Sequence, residues 1–233
     1  MLHGWGTSGE DLLPLAALMA DSAQVHVVDL PGFGRSPPPE SPWDTADYAR
    51  CVLDYMDGRK LAQVDIVAHS FGGRIALVLA SAHPPRVRRL VLMAAAGIPP
   101  RRTVRRRAYL ALLRALRAVL RLANPWFGSA PMRWFGDKFG SRDYKAAGPM
   151  RPTLVRVLAD DLSTRLGEIR APTLLLWGSL DRETPLEMAE RYKASIQASR
   201  LVVLPNRGHF PYHEDGAQLC AYHINDFLRE RGE

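Results

Sequence analysis

Five short apolar runs, separated by stretches with helical periodicity, constrain the fold of this chain most strongly. The runs are rich in valine and leucine and lie at residues 24–30, 64–69, 87–93, 172–177 and 200–204. Such runs are typical of strands buried on both faces of a parallel sheet. Helical patterns fill the intervals at 11–20, 46–56, 71–82, 185–195 and 215–230. The alternation predicts an α/β fold, a mostly parallel sheet with helices on both faces.

One long segment breaks this alternation. Residues 98–170 contain no good strand and separate the third apolar run from the fourth. We interpret them as a helical insertion on the sheet, so the predicted core consists of residues 1–97 and 171–233. The whole chain has 233 residues, which suits one α/β domain and is too short for two full ones.

The formal net charge of +7 is concentrated in one region of the chain. Residues 66–136 contain 13 arginines and no acidic residue, so the remainder is mildly acidic. An amphipathic helix is predicted over 104–122, with Ala108, Leu112, Leu116, Val119 and Leu120 on one face and Arg107, Arg114, Arg117 and Arg121 on another. Three interpretations stay open for its arginines: a solvated outer face, attraction of anionic substrates, or docking on an acidic membrane surface. Nucleic-acid binding is disfavoured because no aromatic residues are interleaved with them.

Several other classes of protein are excluded by simple patterns. Two cysteines, Cys51 and Cys220, cannot form a disulfide framework or a thiolate metal site. The Gly-x-Gly at 32–34 lacks the third glycine and the helix of a dinucleotide motif, so no organic cofactor is implied. No run approaches the roughly 18 apolar residues of a membrane span, and the N-terminus lacks the features of a signal peptide. We therefore expect a cytoplasmic protein.

Residues 68–73, Ala-His-Ser-Phe-Gly-Gly, follow a predicted strand and begin a predicted helix. This is the pattern of a nucleophile elbow, in which small residues permit a strained turn that exposes the serine. Ala68 stands where that motif has its first glycine, a small departure that still fits. The pattern predicts Ser70 as a nucleophile; the alternative is an ordinary strand–helix turn with a capping serine.

Residues 3–6, His-Gly-Trp-Gly, form a second glycine-containing turn ahead of a helix. The backbone N–H groups of Trp5 and Phe71 could together form an oxyanion hole. The alternative is a glycine turn with an aromatic plug.

A nucleophilic serine also requires a base that is oriented by an acid. Asp181 comes just after the fourth apolar run, and His209 just after the fifth. Because parallel strands deliver their C-terminal loops to one edge of the sheet, both residues could meet Ser70 there.

Other polar residues are assigned simpler roles. His69 is expected to point away from the turn and to be structural, and His3 to hold its own loop by hydrogen bonding. His213 could pair with His209 on a metal, but no third ligand is evident, so no metal site is predicted. Glu183 and Asp160 are interpreted as solvated charges.

Taken together, these motifs resemble the α/β-hydrolase superfamily. HGWG, DLPGFGRS, HSFGG, the aspartate after WGSL, and GHF occur in the family's order across nearly the whole chain. The resemblance implies that Ser70 is the nucleophile, His209 its base and Asp181 the orienter of that base. It also implies that Trp5 and Phe71 are the oxyanion donors and that residues 98–170 are the cap. Serine at position 70 argues against dehalogenases and epoxide hydrolases, which place an aspartate there.

The chain departs from this family at its beginning. In that fold the oxyanion loop follows a central strand, whereas here only Met1 and Leu2 precede His3, and two earlier edge strands are also absent. Unpaired backbone groups in mid-sheet cost on the order of 1–3 kcal/mol each. The expectation is therefore that Met1 is an internal methionine and that the functional protein begins upstream.

Hydrolysis of a carboxylic ester or a related acyl compound, through an acyl-enzyme on Ser70, is the leading prediction for function. The first alternative is a C–C bond hydrolase of vinylogous diketone acids. The second is a non-catalytic receptor that binds a small molecule in the same pocket. The expected partner is a small-molecule substrate; its identity, the substrate-binding residues and the oligomeric state are not specified by the sequence.

Overall fold

The computed structural model describes residues 1–101, 104–122, 129–139 and 141–230. In this part of the chain four strands form a parallel sheet in the order β1-β2-β3-β4. The strands are Val64–His69 (β1), Val87–Met93 (β2), Thr173–Gly178 (β3) and Ser199–Leu204 (β4). Each lies within one residue of a predicted run, so the predicted α/β class and these four strands are confirmed.

Helices fill the intervals between the strands, because their apolar residues recur at helical spacing. They are Leu13–Ala17 (α1), Thr45–Gly58 (α2), Phe71–Ala82 (α3), Val104–Leu122 (α4), Ala130–Phe139 (α5), Arg142–Ala146 (α6), Arg151–Ala159 (α7), Leu186–Ser195 (α8) and Gly216–Arg229 (α9). Short 3-10 turns occur at Gly9–Leu12, Pro84–Arg86, Gly148–Met150 and Ser163–Glu168. Within the described ranges, none of these helices is long and apolar enough to span a bilayer.

The sheet is buried by helices on its two faces. Alternate strand residues, such as Val91 and Leu174, pack into one apolar cluster with side chains of α1 and α9. The intervening strand residues point to the opposite face of the sheet, and among them Trp177 packs against Tyr192 of α8, with ring centroids 5.7 Å apart and ring planes tilted by 41°. Burial on both faces explains why the strands read as continuous apolar runs rather than alternating ones.

The predicted strand at 24–30 is wrong, because only one residue of this segment makes a β-bridge. Val28 pairs with Leu2, and Leu2 also pairs with Ala68, both in parallel. Leu2 alone therefore pairs with both this segment and β1. A strand needs a longer neighbour to pair with, so residues 24–30 do not form one. Beside Leu2 lies a cavity of about 530 Å³, lined by residues of 23–31, 51–56 and 61–67.

The chain divides into two compact units, one of which is interrupted by the other. The first contains Met1–Pro100 and Val155–Glu233, and it holds the sheet. The second, Arg101–Leu154, contains α4, α5 and α6. The predicted insertion, 98–170, is wider than this second unit and shares its helical character.

The second unit shows which face of α4 is packed. Of the five residues assigned to its apolar face, Leu116 and Leu120 are partly buried, but Ala108, Leu112 and Val119 are exposed. The other partly buried residues are Leu110 and Leu113. The packed face is thus rotated from the predicted one, because apolar residues occupy most of the circumference and their spacing alone does not select a face. The side chain of Arg107 lies outside the described residues.

Candidate active site

Ser70 occupies a strained turn between β1 and α3. Its φ of 46° and ψ of −107° lie where residues other than glycine are rarely found. The turn is fixed from two sides: the Ser70 N–H donates to the carbonyl of Met93 at 3.1 Å, and the N–H of Gly72 donates to the carbonyl of His3 at 3.0 Å. A Cβ at Gly72 would lie 2.5 Å from the backbone oxygen of Leu2, which explains the glycine of the motif.

The structure brings together the three residues predicted from the strand ends. His209 Nε2 lies 3.0 Å from Ser70 Oγ, and His209 Nδ1 lies 3.0 Å from Asp181 Oδ2. Asp181 follows β3 and His209 follows β4, so the parallel sheet places their loops at the edge where β1 ends. An imidazole held between a carboxylate and a hydroxyl can accept the hydroxyl proton and return it.

The carboxylate of Asp181 is buried and surrounded by donors. Oδ1 accepts the backbone N–H groups of Glu183 and Thr184 at 2.9 and 3.0 Å, and Oδ2 accepts the Thr184 hydroxyl at 2.7 Å. Burial is the largest influence and raises the pKa, but the bond and charge of His209 and the Thr184 bonds together outweigh it. The pKa of Asp181 therefore lies below its ordinary value, and the group is a carboxylate at neutral pH.

Thr184 precedes the helix predicted at 185–195, and no sequence pattern marked it as a site residue. In the structure α8 begins at Leu186, and Thr184 instead supports Asp181. Its own carbonyl accepts the ring N–H of buried Trp177 at 2.6 Å. A hydroxyl three residues after the aspartate was the available signal, but many turns carry one.

The loop at 3–6 lies directly against the serine turn. A Cβ at Gly4 would lie 2.8 Å from the His69 ring and 3.6 Å from Ser70 Cβ. The rings of Trp5 and Phe71, the two predicted oxyanion donors, meet edge to face with centroids 5.2 Å apart. Phe71 is the first residue of α3, so its N–H belongs to the helix end where negative charge is favoured.

His3 and His69 take part in backbone hydrogen bonds, in line with the structural roles expected of them. His3 Nε2 accepts the N–H of Leu30 at 3.0 Å while Nδ1 donates to the carbonyl of Gly4 at 2.7 Å. His69 is fully buried, and its Nε2 donates to the carbonyl of His209 at 2.8 Å. Both contacts hold the loops that carry the site.

Burial, reinforced by the nearby His209, lowers the pKa of His69 from the ordinary 6.5 to about 3. The unfolded chain therefore binds a proton here below pH 6.5 that the folded chain does not bind until about pH 3. Stability is expected to fall across this window as pH decreases, by on the order of 1 kcal/mol per pH unit at most. Urea unfolding at pH 7 and pH 5 should show a smaller difference for His69→Gln than for the unsubstituted chain. Equal differences would contradict this assignment.

Three further polar residues have partners that the sequence did not indicate. Glu183, interpreted as a solvated charge, has a half-exposed side chain, yet its Oε2 lies 3.5 Å from His209 Nε2. Asp160 accepts the N–H and the hydroxyl of Thr45 at 3.1 and 2.5 Å, so it is not simply solvated. His213 Nε2 lies 2.9 Å from Asp11 Oδ1. Among the residues that the structure describes, no three histidine, cysteine or acidic side chains are grouped to hold a metal ion.

The parallel sheet, the strained serine turn after β1, and the aspartate and histidine after β3 and β4 define an α/β-hydrolase type of fold. The chain belongs to the alpha/beta hydrolase family, whose model matches residues 1–222.

Similar proteins agree with this membership. A 2-hydroxymuconate semialdehyde hydrolase from Pseudomonas sp. (strain CF600) is 30% identical over 250 residues, covering 99% of this chain and 86% of that protein. A pimeloyl-[acyl-carrier protein] methyl ester esterase from Chromobacterium violaceum is 28% identical over 250 residues, covering 100% of this chain and 92% of that protein. Among solved structures, an esterase from Exiguobacterium antarcticum superposes with a TM-score of 0.74 at 23% identity, over 99% of this chain and 91% of that one. That last likeness is evidence for the fold alone.

Proposed function

We propose that this protein hydrolyses a carboxylic ester or a related acyl compound through an acyl-enzyme on Ser70. The observation that supports it most directly is the continuous chain of contacts from Ser70 Oγ through the His209 ring to the Asp181 carboxylate, with 3.0 Å at each step. The serine lies on a strained turn that presents its hydroxyl at the sheet edge. The relative named as a methyl ester esterase is consistent with the same chemistry.

In the first half-reaction Ser70 Oγ attacks the ester carbonyl carbon while its proton moves to His209 Nε2. The carbonyl π electrons move to oxygen, and the backbone N–H groups of Trp5 and Phe71 are the donors that would meet this oxyanion. Collapse of the intermediate breaks the bond to the alcohol oxygen, which takes the proton from His209. The alcohol leaves, and an acyl ester remains on Ser70.

In the second half-reaction water replaces the alcohol. His209 Nε2 accepts a proton from this water as its oxygen attacks the acyl carbon, and then returns that proton to Ser70 Oγ. The products are the carboxylic acid and the free enzyme. Asp181 stays a carboxylate throughout, because its role is to hold Nδ1–H and to stabilise the imidazolium that forms.

Intact-mass analysis after treatment with a fluorophosphonate tests this proposal. An activated serine displaces fluoride and gains one phosphonyl group, so we expect a single adduct that is absent from Ser70→Ala. Ser8→Ala, at the start of the 3-10 turn Gly9–Leu12, is the matched control and should label like the unsubstituted chain. A folded chain that forms no adduct would overturn the proposal and favour a binding protein without catalysis.

Cleavage of a C–C bond in vinylogous diketone acids is the second candidate. The relative named 2-hydroxymuconate semialdehyde hydrolase, which is 30% identical to this chain, favours it. Such substrates carry a carboxylate, whereas the Glu183 carboxylate already lies 3.5 Å from His209 Nε2. Like charges close together in a partly desolvated site repel, so Glu183 favours neutral esters over acids.

Replacing Glu183 by glutamine is therefore expected to relax selection against anionic substrates. The dimethyl and monomethyl esters of one dicarboxylic acid differ only in a charge, and the ratio of their kcat/KM values reports that selection. We expect the ratio to move about fivefold toward the monoester in Glu183→Gln, the size of one screened charge interaction. The control Glu190→Gln, an exposed carboxylate of α8, should leave it unchanged. Turnover of a dienoate acid without ester turnover would instead support the C–C candidate.

A further inference from the structure

Helix α4 of the second unit carries an apolar stripe that faces solvent. The stripe consists of residues spaced four or three apart along one side: Val104, Ala108, Leu112, Ala115, Val119 and Leu122. Its four large side chains are between 62% and 81% exposed. Soluble proteins seldom leave a continuous apolar strip of this length in water, so the stripe suggests a surface that something covers.

The stripe is distinct from the side on which the helix packs. At about 100° per residue, the partly buried residues Leu113, Leu116 and Leu120 lie roughly a quarter of a turn or more from the centre of the stripe. The helix can therefore keep its packing within the protein while the stripe contacts something else.

Positive charge lies on the side of the helix away from the stripe: Arg114 and Arg121 are about a third of a turn from its centre, and Arg117 is nearly opposite it. Arg114, Arg117 and Arg121 are exposed and follow one another at the same helical spacing. Within the part of the chain that the structure describes, none of the three forms an ion pair with an acidic side chain. The sequence from 66 to 136 also contains no acidic residue to offset them.

We propose that α4 docks on an anionic lipid surface, lying in the plane of the interface with the stripe in the acyl boundary and the arginines at the phosphates. An exposed apolar face, a strongly basic polar face and low overall hydrophobicity are the properties of helices that bind there. The stripe by itself would also suit a second copy of this chain, but the exposed arginines on the polar side of the same helix favour an anionic surface. The proposal does not depend on the chemistry of Ser70.

Co-sedimentation of the full chain with vesicles tests it. One set contains phosphatidylcholine alone and the other phosphatidylcholine with phosphatidylglycerol, each at low and at physiological salt. We expect binding to the anionic vesicles, weakened by salt, and little binding to the neutral ones. Ser70→Ala should bind as the unsubstituted chain does, so that loss of hydrolysis and loss of docking are distinguished.

Three variants separate the two components of the contact. Leu112→Ser with Val119→Ser should lower the partition coefficient about tenfold or more, because two apolar side chains no longer enter the lipid. Arg114→Gln, Arg117→Gln and Arg121→Gln together should lower it about a hundredfold. The control, Leu13→Ser with Tyr222→Ser, alters two exposed apolar residues elsewhere and should leave binding unchanged.

Two results would overturn the proposal. One is equal partitioning onto neutral and anionic vesicles, or no partitioning onto either. The other is a concentration-dependent dimer in sedimentation equilibrium that Leu112→Ser with Val119→Ser abolishes, which would assign the stripe to a second copy. Urea unfolding of each variant at pH 7 confirms that the exposed substitutions leave the fold intact.

Discussion

Asp181→Asn is expected to lower kcat/KM for a neutral ester by about three to four orders of magnitude while leaving the fold intact. The native carboxylate accepts four bonds, two on each oxygen, from Glu183, Thr184 and His209. An amide has only one accepting oxygen, so one side of the introduced asparagine must present N–H groups to existing donors. If that side faces His209, Nδ1 must accept, the ring proton moves to Nε2, and the imidazole can no longer take the proton of Ser70.

The measurement is steady-state hydrolysis together with the rate of fluorophosphonate labelling, since both require the activated serine. Asp161→Asn is the matched control. Asp161 accepts from Ser163 rather than from His209, so its loss should change kcat/KM by less than about twofold. A decrease of less than about tenfold for Asp181→Asn would mean that this carboxylate does not orient the base.

Trp177→Ala is expected to destabilise the chain by about 3–5 kcal/mol, the largest effect on stability that we anticipate. The ring is fully buried at the end of β3 and packs against Tyr192 of α8, so its removal leaves a cavity that the sheet cannot close. Urea unfolding at pH 7 measures the loss. A change of less than about 1 kcal/mol would show that this part of the core is not tightly packed.

Trp177→Phe separates the packing role of this residue from its role beneath the site. Phenylalanine keeps most of the apolar volume but lacks the ring N–H that Thr184 accepts at 2.6 Å. Leaving that buried carbonyl without a donor costs about 1–3 kcal/mol. Because Thr184 also bonds Asp181, we expect kcat to fall more than KM rises. If Trp177→Phe reduces stability but leaves kcat unchanged, the contact serves folding only.

The serine turn could be predicted because its requirements are local. A backbone at positive φ beside tightly packed neighbours needs small residues at fixed offsets, and Gly72, whose Cβ would meet the oxygen of Leu2, is one of them. The approach of Asp181 and His209 to Ser70 could be predicted for a different reason. Parallel strands end at one edge, so order along the chain translates into position in space.

Other features depended on neighbours that no local pattern reveals. The segment 24–30 has the composition of a strand, but strand structure also requires a bonding partner, and only Leu2 supplies one. Thr184 and Glu183 join the site because the turn after β3 directs their groups toward Asp181 and His209. In α4 the spacing indicated an amphipathic helix but could not show which of its apolar sides is packed.

The sequence by itself determined the α/β class, the four strands and the residues from which the candidate triad is built. These follow from the periodicity of apolar burial and from the steric needs of one turn, which are properties of short segments. The tertiary structure alone decided that Asp181 is held by Thr184, that His69 is too deeply buried to take up a proton near neutral pH, and that α4 leaves an apolar stripe in solvent. Burial and hydrogen bonding between distant segments set these properties, and they exist only after the chain has packed.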